Sequence, residues 1–87
     1  MIRQLFRTER FKKDLKHLPH DIQERVGKAL EILIENPQYP SLHIKKMESV
    51  SDIWEIRVTD NYRITFQFVR EGVLLRRVGT HNILRQP

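Results

Sequence analysis

Eighty-seven residues make one domain, 1–87, with no room for a second core or a deep cofactor cavity, so any site has to lie in a shallow groove. Sixteen Lys and Arg against 11 Asp and Glu give a net charge of +5 and an isoelectric point near 10.0, a balance that favours a polyanionic partner, nucleic acid first. The lack of cysteine excludes disulfides and thiolate metal sites; no apolar run approaches the roughly 18 residues of a membrane span and the N-terminus lacks a signal-peptide apolar region, so the chain reads as soluble and cytoplasmic, with no membrane partner.

Residues 2–6, IRQLF, read as a short first strand. Thr8 can cap a helix that carries Glu9 at its positive end. In that helix Phe11, Leu15 and Leu18 fall at i, i+4 and i+7, an apolar stripe against a very basic opposite face. Pro19 breaks it, and Asp21 can open a second helix. There Ile22, Val26, Ala29, Leu30 and Leu33 recur at helical spacing until Asn36-Pro37, where the residue before proline is pushed out of the α region. Helices joined this tightly form a hairpin with one shared apolar side.

After Pro40 the texture changes. Residues 41–51, SLHIKKMESVS, suit a short edge strand and a turn. The period then becomes two. In IWEIRV, Ile53, Glu55 and Arg57 share one face and Trp54, Ile56 and Val58 the other. Thr59-Asp60-Asn61 is a hairpin turn. In YRITFQF, Tyr62, Ile64, Phe66 and Phe68 lie opposite Arg63, Thr65 and Gln67. Arg70-Glu71-Gly72 turns again, into VLLRRV and the closing VGTHNIL. The expected fold is α+β: an N-terminal strand, a two-helix hairpin and an antiparallel β-meander, with the helices on one sheet face and the other face polar and basic.

That second face is where chemistry would lie. Parity alone gives it Glu55, Arg57, Arg63, Thr65 and Gln67. The last strand is apolar on both parities at first, so periodicity cannot orient it. Arg77, Gly79 and His81 nevertheless share a parity, and in a strand running regularly to its end Arg77 and His81 point the same way. Taken singly, a strand arginine facing water is most often a solvated charge that keeps a half-covered sheet soluble. Several arginines converging with a histidine on a basic domain are less ordinary.

The sequence as a whole resembles the RelE/ParE superfamily of bacterial toxins of type II toxin–antitoxin systems. The likeness runs through FKKDLKHLP, ALEILIENPQYPSLHIKKM, DIWEIRVTDNYRITF and the closing GTHNIL, and GTH is most similar to the branch of YafQ and other RelE/StbE-type mRNA interferases. The resemblance implies two N-terminal helices on a twisted antiparallel sheet. It also implies cofactor- and metal-independent cleavage of mRNA, usually on the ribosome, and a cognate antitoxin that wraps and blocks the toxin.

Cleavage by attack of a ribose 2′-OH on the neighbouring phosphate needs a base for the hydroxyl, a cation for the phosphorane charge and an acid for the departing 5′-oxygen. By the resemblance, Arg63 falls where the family carries its phosphate-stabilising arginine, and arginine's charged fork suits that role. Arg77 matches a second active-site arginine of the YafQ-like branch. His81 falls where related interferases carry a general acid, a task suited to a side chain that titrates near neutrality. His43 lies where YafQ-like members carry another active-site histidine and is the candidate base, with Glu55 as the alternative. Lys45, Lys46 and Arg57 are candidate RNA contacts, since such cations fix position without reading sequence. Where the branch has an aromatic after its histidine, this chain has Leu84 and Arg85, and Arg85 can stack by its guanidinium plane. His17 and His20, at the helix junction, receive no role. The rival reading is a ParE-type protein, which shares the fold, poisons DNA gyrase by binding and needs no catalytic histidine.

Overall fold

Thr8 joins the two kinds of structure. In the computed structural model, which describes residues 2–87, strand β1 (Gln4–Arg7) hands over to helix α1 (Glu9–Lys16) at this residue. The Thr8 hydroxyl accepts from the Phe11 amide at 3.0 Å, which caps the helix, and donates to the Arg76 carbonyl at 2.8 Å, which fastens the helix start to the last strand. Glu9 sits in the first turn, where Lys12 bonds it at 2.9 Å and holds its carboxyl below the usual range.

The first helix ends at Lys16, short of Leu18 and Pro19, and α2 runs from His20 to Glu35 with Pro19 just before it, one residue earlier than Asp21. No side chain caps it. The Gln23 amide group instead donates to the carbonyls of Leu15 and Leu18 at 2.9 and 3.3 Å, which locks the hairpin. The helix stops before Asn36-Pro37, as its sequence dictates.

The remaining strands are β2 (Lys45–Lys46), β3 (Trp54–Arg57), β4 (Tyr62–Val69) and β5 (Gly72–Thr80). The sheet order is β1-β5-β4-β3-β2. β2 to β5 form the antiparallel meander expected from the period-two pattern, with Thr59 closing the β3–β4 turn through its hydroxyl to the amides of Asn61 and Tyr62 at 3.2 Å. β1 adds at the far edge in parallel to β5, so the sheet is mixed rather than purely antiparallel. At that junction Gln4 faces Gly72, and a Cβ on Gly72 would overlap the Gln4 carbonyl. Only glycine permits the approach.

The helix hairpin covers one face. Phe11, Val26 and Leu33 meet Ile56, Ile64, Phe66, Val73, Leu75 and Val78 there, all at most 1% exposed. The inward-facing parity of β5 changes along its length. Thr65 pairs with Arg77 while Phe66 pairs with Leu75, which leaves Arg76 as the extra residue of a β-bulge. The bulge changes which parity faces the helices, from Val73 and Leu75 before it to Val78 after it.

The second face differs from the expected open surface. β5 stops at Thr80, and His81–Arg85 form a short 3₁₀ helix that lies back over the sheet, with Ile83 buried. The Pro87 carbonyl accepts from the Thr65 hydroxyl and from Arg76 Nε, both at 3.1 Å. Thr65, expected on a solvated face, is fully buried as a result. The radius of gyration is 11.7 Å, and no helix among the described residues is long and apolar enough to cross a membrane.

Candidate functional site

The closing segment divides the basic face into two grooves. The first, about 420 Å³, gathers His43, Lys45, Glu55, Arg57, Arg63 and His81. Strand register explains the grouping. Glu55 pairs with Lys45 on one side and Thr65 on the other, and Arg57 pairs with Arg63 one step along the same face. Two irregular segments supply the histidines. The 3₁₀ turn Pro40–Leu42 drives Leu42 into the core and ends at His43, whose backbone is left-handed at φ 46° and ψ 47°. That conformation costs a non-glycine residue about 1–2 kcal/mol and lets the chain reverse so that His43 lines the groove. His81 enters from the opposite wall, as the first residue of the closing 3₁₀ helix. Its seat depends on Gly79, where a Cβ would stand 2.8 Å from Ile83 Cγ2.

Arg63 is held before any ligand arrives. Its Nη1 donates to the carbonyls of Thr59, Asp60 and Tyr62 at 2.7, 3.0 and 3.1 Å, so the β3–β4 turn acts as a socket. The side chain is 11% exposed. Among the described residues its hydrogen bonds all use Nη1, which leaves Nη2 to meet an anion. Glu55 Oε1 lies 3.9 Å from Arg63 Nε, too far for a hydrogen bond, so the carboxylate is close to the cation without being consumed by it. Arg57 reaches Asp60 only loosely, at 3.7 Å, and its Nε is buried with no partner.

Three of the expected site residues lie elsewhere. Arg77 lines a second groove, of about 440 Å³, with Arg10 and Arg76. Its Nε and Nη2 bond both carboxylate oxygens of Asp14 at 2.8 and 3.1 Å. The parity argument linking Arg77 to His81 fails because the strand ends at Thr80 and the chain turns into a helix. Lys46, paired with Trp54 rather than Glu55, falls outside the first groove, and so does Arg85, at the exposed end of the 3₁₀ helix. Leu84 takes a place on the groove wall instead. Asp14 was missed by sequence reasoning. Its one signal is that it is an acid set among Lys12, Lys13 and Lys16 on a basic helix. Among the described residues no group of three His, Asp or Glu side chains is placed to hold a metal ion.

Residues 5–84 match the family model described as the ParE toxin of the type II toxin–antitoxin system parDE. The chain belongs to that family. It is a type II toxin of the RelE/ParE superfamily, and solved toxins share its fold. The RelB–RelE antitoxin–toxin complex from Methanococcus jannaschii superposes with a TM-score of 0.72 at 28% identity, covering 92% of this chain and 94% of that one. The intact E. coli RelBE complex gives 0.69 at 25%, over 87% and 93%. YafQ from E. coli strain BL21(DE3) gives 0.77 at 17%, over 94% and 97%, a likeness of fold alone. A search of curated protein sequences finds no significant match. The ParE/RelE-type toxin thus presents a mixed sheet, a helix hairpin on one face and a basic groove on the other.

Proposed function

We propose that this toxin is an endoribonuclease that cleaves mRNA on the ribosome and so arrests translation in the cytoplasm, held in check by a cognate antitoxin. The observation that carries the reading is the convergence of Arg63, His81 and two potential bases, His43 and Glu55, on one groove of about 420 Å³. In this reading the base takes the 2′-OH proton and the 2′-oxygen bonds to phosphorus. The P–O5′ bond then breaks as His81 gives its proton to the 5′-oxygen, leaving a 2′,3′-cyclic phosphate. Arg63, already seated by three carbonyls, stabilises the phosphorane without reorganising at the moment of reaction. His43 or Glu55 is the base; the substitution with the larger loss of rate identifies it. Lys45 and Arg57 hold flanking phosphates. Arg77 supports the scaffold through Asp14 rather than acting in the groove.

One observation favours a second reading. The matching family model is that of ParE, so inhibition of DNA gyrase by binding is the alternative. Induction in cells, followed by primer extension on mRNA and by a supercoiling assay with purified gyrase, separates the two. Cut transcripts with normal supercoiling support the nuclease; intact transcripts with blocked supercoiling replace it.

A further inference from the structure

Arg57 belongs to two clefts at once. Besides the groove that holds Arg63 and His81, it lines a smaller cleft of about 180 Å³ between α2 and the 3₁₀ turn Pro40–Leu42. The floor of this cleft is apolar, built from Ala29, Ile32 and Leu42, and its rim carries Arg25 and Lys28, three apart on one face of α2. Three cations and no carboxylate line it. The left-handed turn at His43 is what makes the clefts neighbours, because Ser41 and Leu42 face the smaller one while His43 and Ile44 face the larger. At the junction the buried Arg57 Nε has no hydrogen-bond partner, and a buried donor left unpaired is costly unless a ligand satisfies it.

We propose that this smaller cleft is a second nucleotide subsite, in which an unstacked base lies over the Ala29/Ile32/Leu42 floor while its phosphate is held by Arg25 and Lys28. The proposal rests on the ribonuclease reading above and extends it by assigning the path of the strand beyond the scissile phosphate. Alternation of an apolar seat with cationic rims is what single-stranded RNA requires, since its bases splay out and stack on flat apolar or guanidinium surfaces while the backbone follows positive charge. Arg57 is the hinge of that path, because its side chain lines both seats.

Methyl-detected NMR titration of the full chain with short oligoribonucleotides tests this directly. A dinucleotide should shift groove signals alone, and a tetranucleotide should also shift the methyls of Ala29, Ile32 and Leu42 and bind several-fold more tightly. The double variant Arg25→Ala with Lys28→Ala, exposed positions outside the cleavage groove, should bind the dinucleotide unchanged and lose the gain from the longer strand. Its slope of log K on log salt should fall by about 0.7 for the lost phosphate contact. A tetranucleotide that shifts only groove residues, or a variant that keeps the gain, overturns the subsite and leaves the ribonuclease reading standing. If no oligonucleotide perturbs either cleft, both fall. Oligoglutamate of equal charge is the counter-probe: if it shifts the same methyls as strongly and loses as much in the variant, the cleft docks an acidic protein segment and not RNA.

Discussion

Asp14 binds Arg77 through both carboxylate oxygens and, with one of them, also accepts the backbone amide of Val78 at 3.2 Å. The β5 edge has lost its partner by this point, since β1 ends opposite Leu75. One side chain of α1 therefore does the work of a missing strand. Both side chains are 16% exposed, so the pair is largely shielded from water and salt.

Asp14→Ala should accordingly destabilise the fold by about 2–3 kcal/mol, the range for losing charge-assisted hydrogen bonds at a largely buried site. Arg77→Ala should cost a similar amount, and the double variant should cost clearly less than the sum of the two, which a double-mutant cycle in urea reads. Arg77→Lys should not rescue, because a point charge cannot bridge two oxygens. Additive losses would show that the pair is not coupled and would return Arg77 to the list of possible groove residues.

His81→Ala should behave in the opposite way. The residue is exposed, so stability should hold within about 0.5 kcal/mol, while cleavage falls roughly 10²–10⁴-fold on loss of one acid–base group. Single-turnover assays on programmed ribosomes, run beside thermal unfolding, give both readings. A variant within a few-fold of the wild-type rate removes His81 from the mechanism.

Gly79→Ala links the two effects. Its new methyl must push Ile83 aside, and overpacking of this kind costs about 1–3 kcal/mol. Because Ile83 anchors the helix that begins at His81, cleavage should fall by more than the loss of folded protein accounts for. The measurement is rate per folded molecule, with the folded fraction taken from circular dichroism. An unchanged specific rate would mean that His81 is placed without help from Ile83.

Neighbouring lysines provide a contrast with no stability component. Lys45→Ala should weaken RNA association and lower its salt dependence, since Lys45 lines the groove, while Lys46→Ala should do neither. Filter binding over a series of salt concentrations separates them. Equal effects from the two would show that charge near the sheet edge matters and position does not.

Much of this architecture was legible in the residues. Pro19 and Pro37 mark the helix ends because they remove a donor and restrict their neighbours, and Thr8 signals its cap through a hydroxyl at the right spacing. The alternation in IWEIRV and YRITFQF places Glu55, Arg57 and Arg63 on one face, which is why that part of the groove is legible in the residues alone. The failures share one cause. A bulge at Arg76 leaves no mark in VLLRRV, since an extra residue is defined only by what the partner strand opposes to it. The return of the closing segment over Thr65 is likewise set by a tertiary contact, Ile83 on Gly79. Arg77 was assigned by resemblance and by a parity that assumed a regular strand, and its true partner lies 63 positions away on α1.

The parallel pairing of the first and last strands has a consequence in time. Gln4 finds its partner at Gly72, 68 positions later, so during synthesis at about 5–20 residues per second β1 waits roughly 3–14 s before the strand it needs has been made. Until then the Phe11 face of α1 has no β5 to lie against, and the wall that carries His81 does not exist. The groove that gathers Arg63 and His81 is therefore incomplete until the residues up to Leu84 have been made. On the ribonuclease reading proposed above, the nascent chain is then harmless to the ribosome that makes it, and for the same interval the β5-facing edge of β1 stays unpaired.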